Sequence, residues 1–169
     1  MTDETSAPDA GIGSDIAPSY DIDNDPDGLT REDLIAKDWV LDDIFDFNFG
    51  PDESAKDAHF GLTLNFSGLL VSGLAITRAA WTAGTMAGFP ENASHTRDAL
   101  TKVWASDDEK AREAAASRKE RNLPSRTRLS VHLKDVQIYA PGGPVNAAFW
   151  RGNVSDITGW TLGSYNPAE

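Results

Sequence analysis

Few residues of this chain have the types and spacing that chemistry needs, and the densest cluster is cationic and aromatic. Near the C-terminus runs Phe149-Trp150-Arg151-Gly152, followed by Asp156, Gly159 and Trp160. One guanidinium thus lies among large apolar rings. Arg151 has two readings. It stacks on Trp150 or Trp160, or pairs with Asp156, and fixes a corner of the fold. Alternatively it stands exposed beside them as a contact hot spot, where Trp and Arg are enriched. His59, His95 and His132 are 36 and 37 residues apart, with no His-x-x-x-His pair and no Cys anywhere. That is not the spacing of a metal site. Asp21, Asp23, Asp25 and Asp27 alternate like the start of a calcium loop. No register supplies both the glycine at position six and the bidentate glutamate at twelve. No Gly-x-Ser-x-Gly elbow and no glycine-rich phosphate loop occurs, so neither nucleophilic catalysis nor nucleotide binding finds support. The chain is expected to be no enzyme, with no catalytic residue, cofactor or metal.

The elements that must carry these side chains begin after an acidic stretch. Residues 1–58 hold 17 Asp and Glu against 3 Lys and Arg, a net of −14, whereas residues 59–169 hold 10 against 12, a net of +2. Residues 1–28 contain few large apolar groups and cannot bury enough surface to offset ordering entropy. They are expected to form a disordered acidic tail, with residues 29–169 as a single domain. Thr30 and Asp33 have the spacing of a helix cap, and a helix is expected over about 31–47. Asp42, Asp43 and Asp46 sit in its second half, the unfavourable end for negative charge, so that half is expected to fray or to be a short strand.

From His59 the pattern changes. Phe60, Leu62, Leu64 and Phe66 alternate with Gly61, Thr63 and Asn65, the period of a half-buried strand. Ser67-Gly68 reads as a two-residue hairpin loop. Leu69 to Thr77 returns as a second strand, with Gly73 marking a bend or bulge. Arg78 to Phe89 fits a short helix or a loop equally well. A helix follows from Ser94 to Asn122, with Leu100, Val103 and Trp104 on one face and a solvated second half. Arg128 to Ala140 is a third strand whose apolar phase shifts across Lys134-Asp135, the mark of a bulge. Two further strands run over 147–153 and 158–164. The fold class is therefore α+β: a bent antiparallel sheet, or a small β-barrel, of about five strands with one N-terminal and one inserted helix.

Such a sheet is too small to hide every tryptophan. Trp104 belongs to the apolar helix face. Trp39, Trp81, Trp150 and Trp160 cannot all be interior, and Trp81, Trp150, Arg151 and Trp160 are the candidates for a protein-binding surface.

Three blocks in order, Val71-Ser72-Gly73, His132-Leu133-Lys134 with Ile138-Tyr139, and Phe149-Trp150-Arg151-Gly152 with Gly159 and Leu162-Gly163, resemble the gas vesicle accessory protein U family (GvpU) over about residues 60–163. The resemblance implies a cytoplasmic accessory of gas vesicles that is not the shell, with gas vesicle proteins and further copies of itself as partners. It brings no catalytic residues. The long acidic N-terminal stretch departs from it. In shape, a helix before a bent five-strand meander with an Arg-Gly corner is similar to the Sm-like and SH3-like barrels. That likeness implies the alternative of an oligomeric nucleic-acid-binding protein, with Arg151-Gly152 at a base-reading corner. The acidic net charge opposes nucleic acid. No run of about 18 apolar residues is present, so no membrane partner is expected.

Overall fold

The computed structural model describes residues 20–165. The alternating segment forms β1 (His59–Phe66), which pairs with β2 (Leu69–Ile76) in the register Leu62↔Gly73 and Leu64↔Val71. Ser67 (φ 52°) and Gly68 (φ 92°) both take positive φ at the hairpin, as a tight turn matching strand twist requires. β3 (Ser130–Ala140) pairs with β2, β4 (Gly143–Asn153) with β3, and β5 (Ile157–Leu162) with the far side of β1, all antiparallel. The sheet order is β4-β3-β2-β1-β5.

The phase shift in β3 is a bulge. Between Ser72↔Gln137 and Leu74↔Lys134 the third strand carries one extra residue, and Asp135 takes a φ of 53°. Gly73 faces it: a side chain there would stand 2.8 Å from the Lys134 carbonyl oxygen. The bulge returns Val136 and Ile138 to the face already occupied by Val131 and Leu133, so one surface stays apolar along the whole strand.

β4 and β5 are the two edges, yet only a single 3-10 turn, Val154–Asp156, joins them. So short a link forces the sheet to curl until its edges converge at that corner. The five-stranded sheet is not closed, which corrects the small-barrel alternative. Phe66 meets Trp150 edge-on at 5.0 Å where a barrel would have a backbone ladder. The concave face is filled instead by a helix.

That helix is α2 (Trp39–Phe49), preceded by the single turn α1 (Arg31–Leu34). The one helix expected over 31–47 is thus two. The break falls at Ile35–Asp38 because the Asp38 carboxylate accepts from the amides of Val40 and Leu41, both at 3.1 Å, and starts a new helix. Leu41, Phe45 and Phe49, one helical turn apart, are buried against Leu62, Leu64, Val71, Leu133 and Val136. Phe45, Phe49 and Phe60 form a triangle with centroids 5.5–5.9 Å apart. Asp42 now lies in the first turn, where the helix dipole favours it, and with Asp46 it turns to Arg128; this half does not become a strand.

The undecided segment is a helix, α3 (Arg78–Ala87), started by Thr77, whose hydroxyl accepts from the Ala80 amide at 3.2 Å. It lies on the convex face of β3 and β4 at Gly84, where an added side chain would stand 2.1 Å from the Phe149 ring. α4 (Ser94–Glu120) runs on for 27 residues and buries only Arg118. Residues 1–19 of the expected tail lie outside the described residues. Residues 20–28 are folded: a 3-10 turn, Ile22–Asn24, delivers Asp25 to α4.

Candidate protein-contact site

The four residues singled out from the sequence fall on both faces of the sheet. Trp150 stands opposite Leu133 on the core face, half-buried. Gly152 gives it room, since a side chain there would come within 2.3 Å of its ring and 2.7 Å of Phe66. Arg151 points the other way. It is exposed, donates to the Ser130 hydroxyl at 2.7 Å and lies across from His132. The cation–π contact among the described residues belongs to Arg128, 4.8 Å over Phe45. Trp160 is half-buried on the core face, opposite Leu64, and donates its indole N–H to Asp38 at 2.7 Å. That bond, with those from the Leu41 and Val40 amides, holds the Asp38 carboxyl below its ordinary range.

Trp81 is on α3, between two rings. It packs against His132 at 5.2 Å and Trp104 at 5.5 Å, with the rings tilted by 42° and 33°, linking β3 through α3 to α4. Arg78 clamps the same helices through Asp108 at 2.6 Å. His132 is 4 % exposed. Burial, with the neighbouring charges of Arg151, Arg78 and Arg128, lowers its pKa to about 3, so the ring is neutral at pH 7. Its Nε2, the Trp81 indole nitrogen and the hydroxyls of Thr82 and Thr85 are buried without partners among the described residues. His59 is on β1 and His95 on α4, both exposed. Among the described residues no group of three His, Asp or Glu is placed to hold a metal ion.

Where the N-terminal aspartates do act, the cation is arginine. Asp25, its side chain fully buried, accepts two bonds from Arg118, at 3.0 and 2.8 Å, and one from the Tyr20 hydroxyl. Asp27 accepts from Arg118 at 2.7 Å and from Arg121 at 2.6 Å. The Arg118 Nε–H donates to the Pro124 carbonyl at 2.8 Å. The guanidinium, first among these contacts, pulls the Asp25 carboxyl far below the usual carboxylate range. Further along, Asp33 pairs with Arg126, and its pKa falls to about 2 through the Thr30 amide and that guanidinium. Arg128 is ringed by Asp42 at 3.5 Å, Asp46 at 3.2 Å and Glu53. The basic stretch after residue 112 is therefore neutralised, arginine by arginine, by the acidic N-terminal third of the same chain.

Two features were not singled out from the sequence. A shallow cavity of about 510 Å³ opens beside the β3 bulge, lined by Ser72, Asp135, Gln137, Asn146, Ser164 and Tyr165. The outward face of α2 exposes Trp39 (70 %) and Phe47 (91 %). Its signal was present: residues 39–49 carry apolar groups on both sides of one helix, more than a surface helix needs.

The fold and these surfaces define a small bent-sheet α+β protein in which Arg118, Arg121, Arg126 and Arg128 are paired internally and the most exposed large groups are aromatic. Residues 42–165 match the family model of gas vesicle protein GvpU-like. The chain belongs to the GvpU-like family and is a gas-vesicle-related protein. Neither curated proteins nor solved structures yielded a match. No helix among the described residues is long and apolar enough to cross a membrane.

Proposed function

We propose that the protein is a non-enzymatic gas vesicle accessory in the cytoplasm, which docks on vesicle-associated proteins or on further copies of itself and so aids assembly or clustering. The family match over residues 42–165 carries this reading. The pairing of Arg118, Arg121, Arg126 and Arg128 with carboxylates supports a protein partner over nucleic acid, because phosphate contacts need unengaged cations. In this reading Arg151 is a rim contact, and Trp81, Trp150 and Trp160 shape the surface from half-buried positions.

The acidic N-terminal residues would set how closely copies approach, through charge repulsion that salt screens over about 10 Å at 0.1 M ionic strength. The test is turbidity of a gas vesicle suspension against ionic strength. The full chain is compared with a version lacking residues 1–19, which keeps the clasp of Asp25 on Arg118. Clustering by the shortened chain is expected to begin at lower salt. Coincident curves would contradict a role for the N-terminal charge, and no clustering by either would contradict the proposed activity.

A further inference from the structure

α2 is apolar on two sides, and only one is covered. Leu41, Phe45 and Phe49 face the sheet. The opposite side carries Trp39, Asp43 and Phe47 at successive four-residue steps, with Val40 beside them. Trp39 is 70 % exposed, Phe47 91 % and Val40 38 %. Aromatic side chains at such exposure on a rigid helix are what contact hot spots are made of.

The charge at the centre of this face indicates what covers it. Asp42 and Asp46, both along one flank of it, are paired with Arg128. Asp43, between Trp39 and Phe47, is exposed and has no ion-pair or hydrogen-bond partner among the described residues. Residues 1–19 are a poor occupant, since they hold Asp3, Glu4, Asp9 and Asp15 and no Lys or Arg. An anionic lipid surface would meet the same repulsion. We propose that the outward face of α2 is the docking face for an amphipathic helix of a partner protein, one that lays apolar side chains on Trp39, Val40 and Phe47 and a lysine or arginine on Asp43. This deepens the docking role proposed above and rests on it only for the cellular setting.

The experiment titrates the full chain into a labelled 14-residue helical peptide of leucine and lysine, read by fluorescence anisotropy. A peptide with glutamate for each lysine and vesicles of anionic lipid serve as competing probes. The leucine–lysine peptide is expected to bind. Phe47→Ser is expected to weaken it about tenfold or more, as loss of an aromatic anchor does. Asp43→Lys is expected to weaken it and to confer binding of the glutamate peptide. Both positions are exposed, so the variants fold, which an unchanged urea midpoint verifies. No binding of the leucine–lysine peptide, equal binding of both peptides by the unaltered chain, or binding untouched by either substitution would overturn the proposal. So would stronger retention on the vesicles, or a dimer that Phe47→Ser dissociates, since either assigns the face to another occupant. Loss of vesicle clustering with peptide binding intact would count against the proposed function and leave this site standing.

Discussion

His132 is the group whose ionisation the fold opposes most strongly. In the unfolded chain it takes up a proton near its ordinary pKa of 6.5, whereas in the fold it does so only at about 3. Between those values the unfolded state binds more protons, so stability falls as pH drops from about 6.5 toward 3 and is unaffected by this group above that window. The limiting slope for one proton is about 1.4 kcal/mol per pH unit. Urea denaturation from pH 6.5 to 5 stays above the range where the lowered carboxylates, at about 3.8 in the unfolded chain, take up protons. The slope is expected to be shallower in His132→Phe, which keeps a ring against Trp81 but cannot ionise; equal slopes would contradict the assignment. At Arg118 the issue is pairing. Arg118→Ala leaves the buried Asp25 carboxylate without its partner, which is far more harmful than losing an exposed pair. Its urea midpoint is expected to fall well below that of Arg97→Ala, which breaks an exposed pair with Asp98; equal midpoints would contradict it. Neither the neutral histidine nor the clasp is legible in the sequence, since the partners of Arg118 stand more than 90 residues away along the chain.

At the scale of elements, local pattern carried the sheet and α4, but missed the break between α1 and α2 and left α3 open. The alternation of 60–66, the Ser67-Gly68 turn and the bulge at Lys134-Asp135 all depend on period-two burial, which neighbouring residues encode by themselves. The break between α1 and α2 depends on a competition. Ile35 and Ala36 continue an apolar pattern, but Asp38 caps a new helix and is held there by Trp160, 122 residues away. The segment 78–89 was ambiguous because Gly84 and Gly88 weaken a helix. One of them, Gly84, exists for contact with Phe149. Gly84→Ala tests that contact by its sign. In an uncontacted helix interior the change stabilises by about 1 kcal/mol; here overpacking against the ring is expected to cost about 1–3 kcal/mol. In a Phe149→Ala background the same change is expected to stabilise. A stabilising Gly84→Ala in the unaltered chain would show that α3 does not rest on β4 as described.

At the scale of the molecule, the uneven charge visible in the composition has a structural answer. The acidic third and the arginines near the end of α4 are two halves of one electrostatic contact, running from Tyr20–Asp25–Arg118 to Glu53–Arg128. The sequence showed the imbalance but not its use, because total charge records no pairing. With those arginines engaged, the surfaces proposed above for recognition are the outward aromatic face of α2 and the exposed Arg151 near the corner where the sheet's edges converge. The measurement that bears most directly on this account is co-flotation of the purified full chain with isolated gas vesicles. Saturable recovery of the protein in the floating layer, reduced by Phe47→Ser or Arg151→Ala with the fold intact, is the result expected. A chain that stays in the liquid below the vesicles at every salt concentration would contradict it.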